Sequence, residues 1–309
     1  MTSLPIIDAH QHFWDLERNY LPWLCDEPMI PFRYGDYSAI RRTYLPEDYR
    51  RDTRDYRVVG SVFIETEWDP ATPVEETRWV HELAEREGLP SVMVAQARLD
   101  QPDVEDVLAA HCAYPRVRGI RHKPRAAPSP NEVETGAPGS MGDPTWRRGF
   151  ARLAAHGLSF DLQSPWWHFH EAADLAASHP DTQIIINHTG LPADRSEAGL
   201  QGWRKAMRTV AGQSNVAVKI SGIGVPDSPW TVELNRRVVL ETIDCFGVER
   251  CMFASNFPVD SLVASFSTIF DGFMTITESF SEAERLKLFH DNARHFYRID
   301  LPQPAEPMV

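Results

Sequence analysis

A chain of 309 residues buries roughly three-quarters of the surface its unfolded form exposes, enough for a large core without disulfides or structural metal. Its 31 basic and 44 acidic side chains give a formal charge of −13, which offers no basic footprint to phosphate backbones or anionic lipid. Neither nucleic acid nor membrane is therefore an expected partner. No run approaches the roughly 18 apolar residues that cross a bilayer, and Met1-Thr2-Ser3-Leu4-Pro5 lacks the basic-then-apolar order of a leader, so the expected location is cytoplasmic. Cys25, Cys112, Cys245 and Cys251 are widely scattered with no Cys-x-x-Cys, which reads as reduced, packed thiols.

In chain order, the first apolar run is Pro5 to Ala9, and it ends in His10-Gln11-His12. A long connection, residues 13 to 57, follows and is rich in Trp and Tyr. Val58 to Ile64 runs into Glu65-Thr66-Glu67, with a predicted helix over Pro73 to Glu87. Ser91 to Ala97 precedes a helix over Val104 to His111, and Val117 to Ile120 runs into Arg121-His122-Lys123. A second long connection, residues 124 to 145, is rich in proline and glycine, and a helix is expected over Pro144 to His156. Leu158 to Leu162 is followed by Gln163, by Trp166-Trp167-His168, and by a helix over His170 to His179. Gln183 to Ile186 ends in Asn187-His188-Thr189, before a helix over Leu200 to Gly212. That triplet matches a glycosylation sequon, but its place at the end of an apolar run makes the match accidental. Val216 to Ile220 ends at Ser221 and precedes a helix over Thr231 to Phe246. Cys251 to Ala254 leads to Asn256, and helices are expected over Val259 to Thr277 and Glu282 to Phe296.

Eight strand-like runs alternating with helices predict a (β/α)8 barrel, because right-handed crossovers lay each strand beside its predecessor until the sheet closes. The expectation is one barrel domain over residues 1–309 with a terminal tail from about 300. Both long connections would lie on the face where barrel active sites are built. An open doubly wound sheet is disfavoured, since Asp8-Ala9-His10-Gln11-His12 follows the first run where a Gly-x-Gly-x-x-Gly would be needed.

Along an extended strand the period of two places His10 and His12 on one side, and a barrel brings His188 to the same rim. Imidazole is the commonest metal ligand and a physiological acid or base, so these three are candidate catalytic residues and candidate ligands of a divalent metal such as zinc. Glu65 is a candidate base or ligand at the second strand's end. Asp260 precedes Ser261-Leu262-Val263 and reads as a helix cap. Arg121, Lys123 and His122 end a strand inside a basic cluster, which suits an anionic or carbonyl-bearing small molecule. Gln163, Trp167 and Ser221 are further candidate substrate contacts, the indole by stacking on a flat ring and the serine by its hydroxyl. Gly-x-Ser-x-Gly is absent and no cysteine sits at a strand end beside a glycine turn, so acyl-enzyme chemistry has no nucleophile elbow.

The runs Ile7 to Trp14, Arg118-Gly119-Ile120-Arg121, Phe160-Asp161-Leu162-Gln163, Asn187 to Pro192 and Met252 to Val259 resemble the amidohydrolase-related proteins that include sugar-lactone and pyrone-dicarboxylate lactonases. The likeness runs from His10 to about Tyr297. It implies a barrel hydrolase with His10, His12 and His188 at the reaction centre, in a family divided over whether a divalent metal is held. One position departs from that pattern: the eighth strand usually ends in Gly-Ser-Asp-Trp-Pro, and here Asn256 stands where the aspartate would be. An amide cannot take a proton at neutral pH. The expected reaction is hydrolysis of a small cyclic ester by activated water, with Asn256 in the catalytic set. The alternatives are non-oxidative decarboxylation of a small carboxylic acid, or a ligand-binding protein that has lost turnover. A homo-oligomer is compatible with all three.

Overall fold

The computed structural model describes residues 4–300. All eight apolar runs form strands: β1 (Ile6–Gln11), β2 (Val58–Ile64), β3 (Val92–Gln96), β4 (Val117–Arg121), β5 (Ser159–Leu162), β6 (Ile184–Ile186), β7 (Val216–Ile220) and β8 (Cys251–Phe253). They are parallel and lie in chain order, each beside its predecessor. The ring closes just past the strand ends, where His12 N donates to Phe257 O at 2.7 Å and Asn256 N donates to His10 O at 2.8 Å. Closure thus sets Asn256 directly beside the two histidines of β1.

The apolar residues divide by the period of two. Ile7, Val62, Val94, Ile185, Ala217 and Met252 fill the barrel interior together with Tyr297 and Ile299 from the end of the chain. Their neighbours Phe63, Met93, Ile184, Val218 and Phe253 pack outward against the helices. Burial on both faces is why Ile184-Ile185-Ile186 is unbroken by any polar residue.

The helices are α1 (Pro22–Cys25), α2 (Pro46–Thr53), α3 (Pro73–Glu87), α4 (Val104–Cys112), α5 (Pro144–Phe150), α6 (Phe169–Ser178), α7 (Glu197–Ala211), α8 (Val232–Phe246), α9 (Phe266–Ile276), α10 (Glu282–Leu286) and α11 (Asn292–Phe296). Local chemistry sets their ends. Proline opens α3 and Gly88, at φ 73°, closes it. Thr231 Oγ1 accepts from Leu234 N at 3.2 Å to start α8. The single helix expected over Val259 to Thr277 is instead a short 3-10 turn, Val259–Leu262, followed by α9. Ser265 Oγ accepts from Thr268 N at 3.1 Å, and this cap begins a new helix where the pattern suggested continuity. Within the expected last helix, a wider turn over Lys287–Asp291 separates α10 from α11.

The two long connections differ in what they do. The one after β1 folds over the barrel mouth and contributes Trp14, Trp23, Phe32 and Arg33 to a cavity there. The one after β4 packs beside α6: Ala127 N donates to His168 Nε2 at 2.8 Å, and Gly136 N donates to Glu171 Oε1 at 3.0 Å. Among the described residues, none of 124–145 lines the cavity, and Lys123, just past β4, is the last residue there to do so.

Candidate active site

The cavity at the C-terminal ends of the strands holds about 320 Å³. His12, His188, Asn256, Arg121, Lys123 and Gln163 form its polar wall, with Trp14, Trp23, Phe32, Leu191 and Val259 as apolar surface. His188 and Asn256 both adopt left-handed backbone, φ 55° and 57°, as does Thr189 at 50°. Such conformations are costly for non-glycine residues and persist where the surroundings over-determine them. Gly222 lets the ring of His188 lie close, because a Cβ there would come within 2.5 Å of its Nδ1.

A directed chain of hydrogen bonds runs beneath the cavity. Lys219 is fully buried and pairs with Asp161 at 2.6 Å. Asp161 also accepts from Tyr297 Oη at 2.9 Å and Asn187 Nδ2 at 2.8 Å. Lys219 Nζ lies 3.5 Å from His10 Nδ1, which assigns the His10 proton to Nε2, and that nitrogen lies 3.2 Å from His12 Nε2. His12 Nδ1 in turn donates to Ile64 O at 2.8 Å. The lone pair of His12 Nε2 is therefore taken by His10.

Burial holds all three imidazoles neutral. It pushes His12 down to about 3, with Arg121 adding to the effect. His10 and His188 lie well below the usual histidine range for the same reason, reinforced by Lys219 and Arg33 respectively. Burial also lowers Lys219 to about 8, against the opposing pull of Asp161.

Asn256 Nδ2 donates to Asp260 Oδ1 at 2.6 Å, so its Oδ1 faces His12 Nε2 at 3.3 Å. With His12 in the tautomer just assigned, no hydrogen lies between these two acceptors. Asn256 Oδ1 therefore needs a donor from the cavity. His188 Nδ1 lies 2.9 Å from Ser221 Oγ; with the proton assigned to Nδ1 and donated to that hydroxyl, Nε2 carries the lone pair.

The remaining candidates separate clearly. Arg121 lines the cavity, but its guanidinium is anchored by a buried ion pair with Glu65 and by Gln163 Oε1 at 3.1 Å. Glu65, expected as base or ligand, is thus occupied with Arg121 and with Glu67 N at 2.7 Å. Lys123 forms a rim ion pair with Glu67. His122 is turned away from the mouth by strand alternation, and its Nδ1 takes Trp146 Nε1 at 3.0 Å and Leu99 N at 3.1 Å. Trp167 donates to Ala127 O at 3.0 Å and braces the β4 connection instead of the cavity. Ser221 lies behind His188. Asp260 is no helix cap: it is buried, receives Asn256 and Tyr34 Oη at 3.1 Å, and lies 3.5 Å from Arg33. Sequence reasoning missed Lys219 and Asp161 as a pair, although a lysine inside Val216 to Ile220 signals a buried charge in need of a partner. Arg33 carried no such signal.

The amidohydrolase family profile matches residues 7–299. The chain belongs to the amidohydrolase family. An uncharacterized protein of Sinorhizobium fredii, y4mH, is 45% identical over 97% of this chain and all of its own length. An L-fucono-1,5-lactonase of Burkholderia ambifaria is 27% identical over 96% of each chain. Among solved structures, a Burkholderia multivorans amidohydrolase with bound HEPES superposes with a TM-score of 0.78 at 25% identity, covering 96% of this chain and 99% of its own. A second crystal form of a Burkholderia multivorans amidohydrolase carries zinc. Here the donor set fits a resident metal poorly. His12 Nε2 is occupied by His10, an ammonium faces the other nitrogen of His10, and among the described residues no three His, Cys, Asp or Glu side chains are placed to hold an ion. Among the described residues, no helix is long and apolar enough to cross a membrane.

Proposed function

We propose that this amidohydrolase opens a small cyclic ester by attack of water on the carbonyl carbon. One observation carries the reading: His188 Nε2 and Asn256 Oδ1, which in these tautomers receive no donor among the described residues, belong to residues lining a cavity whose other polar walls include Arg33, Arg121, Lys123 and Glu67. A water that donates to both acceptors turns a lone pair toward a bound carbonyl. His188 takes its proton as the new C–O bond forms, and the carbonyl electrons move onto oxygen. Arg33, Arg121 and Lys123, each also paired with a carboxylate, offer the N–H donors that stabilise that oxyanion. When the tetrahedral carbon collapses, the ring oxygen leaves and takes the proton back from His188, giving a hydroxy acid.

A neutral His188 keeps its lone pair available at ordinary pH, while the same burial weakens its proton affinity, which sets its contribution toward the lower end of the about 10²–10⁴-fold of positioned bases. The Lys219–His10–His12 chain holds the floor rigid, and Asp260 orients the Asn256 amide. The 27% identity to L-fucono-1,5-lactonases over nearly the full length supports a lactone as the substrate class. The test is a panel of 1,4- and 1,5-lactones and carboxylated aromatics, followed by proton release and carbon dioxide evolution before and after exhaustive chelation. Proton release on lactones that survives chelation is the expected result. Carbon dioxide evolution, or tight binding with neither signal, overturns the reading.

A further inference from the structure

A second cleft of about 370 Å³ adjoins the catalytic cavity. The two share Trp23, Ile30 and Glu67 as wall, so a ligand in one is in contact with the boundary of the other. Beyond that boundary the cleft is built from Trp68, three prolines, Asp26 and Gln96. The large apolar side chains left exposed among the described residues are Ile30, at 53%, and Tyr20, at 47%. Both belong to this place: Ile30 is in the wall, and Tyr20 Oη lies 2.9 Å from each oxygen of Asp26. Ile30 is thus an exposed apolar residue in the wall of a concave surface beside the catalytic cavity, and Tyr20, outside the lining, borders it through Asp26.

The chemistry of the two compartments is opposite. The catalytic cavity is lined by Arg33, Arg121 and Lys123 together with Glu67, whereas among the described residues the adjoining cleft is lined by no lysine or arginine. Its polar groups include the carboxylates of Asp26 and Glu67, which accept, and the amide of Gln96. Glu67 is neutralised by Lys123 and Asp26 accepts from the Tyr20 hydroxyl, so among the described residues the cleft keeps the charge of one carboxylate. Indole and proline faces offer flat apolar surface, and carboxylates accept hydroxyl donors. A ring with apolar C–H faces and an equator of hydroxyls satisfies both.

We infer that this cleft is a subsite for an uncharged, hydroxyl-rich ring, so that the substrate is a glycosylated lactone whose lactone ring occupies the catalytic cavity and whose sugar ring occupies the cleft. The inference rests on the lactone-opening reading and specifies its substrate.

The experiment uses two lactones and one sugar. D-Glucono-1,5-lactone and its glucosylated form, cellobiono-1,5-lactone, are compared by kcat/KM, and cellobiose, which has no lactone, is tested for binding by saturation-transfer NMR. The expected ratio of kcat/KM, glucosylated over plain, is about tenfold in the natural protein. That ratio falls toward one in Trp68→Ala, and cellobiose signals fade with it. Trp68 is largely buried, so Asp26→Ala, at an exposed position, repeats the test without risk to the core. A ratio near one in the natural protein, or cellobiose signals unaltered in both variants, overturns the subsite. If cellobiose binds through Trp68 and Asp26 while neither lactone opens, the subsite stands and the hydrolytic reading falls. If both lactones open equally well, the reverse holds.

Discussion

Asn256 and Asp260 form one unit: the amide of the first donates to the carboxylate of the second at 2.6 Å, and this fixes which end of the amide faces the cavity. At position 256, where the resemblance led one to expect a carboxylate, stands an amide, and the neighbouring carboxylate of Asp260 orients it. Burial raises the pKa of Asp260, and Arg33 partly offsets that rise.

Asn256→Asp would set a second carboxylate against the first. Two acids at that separation share a proton, so the fixed N–H donor to Asp260 and the fixed acceptor toward the cavity are both lost. The expected outcome is a loss of lactone turnover by about 10-fold or more, as when an orienting hydrogen bond is removed from a reacting group. Steady-state kinetics on the best lactone of the panel checks it; a gain in kcat would mean that the amide is a vestige of an abandoned base.

Because burial and Arg33 hold His188 well below the ordinary histidine range, kcat/KM is expected to stay level from pH 8 down past 6.5 and to fall only at lower pH. His188→Gln should cost about 10²-fold or more. A pH–rate profile with its acid midpoint at 6.5 or above contradicts the assignment.

Lys219→Met leaves Asp161 as an uncompensated charge inside the barrel. Breaking a buried pair by removing one partner costs about 3–5 kcal/mol, and the double variant with Asp161→Asn should recover part of that. Urea denaturation of the natural protein, the single and the double variant measures the coupling.

How much of this was legible in the sequence follows from where each residue sits. The strands could be read because a parallel sheet buried on both faces leaves apolar runs, and His10, His12 and His188 stood at the ends of two of them. Arg121 and Lys123 followed from alternation, which also sends His122 outward. Arg33 could not be read, because its position depends on how residues 13–57 fold across the mouth, and that path is set by tertiary contacts such as Tyr37 Oη with Trp23 O at 2.9 Å. Asp260 misled because an aspartate ahead of a helical stretch has the pattern of a cap, whereas the actual cap is Ser265.

Glu76 supplies a pH signature of stability. It is buried, accepts from Thr66 N and Oγ1 at 2.7 and 2.6 Å, and is raised to about 8 from 4.5 by burial and by the charge of Glu65. Between those values the folded protein holds a proton that the unfolded chain has lost, so stability declines as pH rises toward 8. The buried histidines act in the opposite sense, adding stability as pH rises, but only up to their unfolded value of 6.5. Lys219, lowered to about 8, starts to act against Glu76 at the upper end, so the span from pH 6.5 to about 7.5 reads chiefly Glu76. Urea midpoints should fall across it in the natural protein and stay level in Glu76→Gln; equal slopes would remove Glu76 from the account.

The most direct test of water attack at this site is turnover of a lactone in ¹⁸O-water, with the product read by mass spectrometry. Hydrolysis at the carbonyl carbon places one solvent oxygen in the carboxylate of each hydroxy acid formed, and His188→Gln slows its appearance. A product without solvent oxygen in that carboxylate, or one that has lost carbon dioxide, contradicts it.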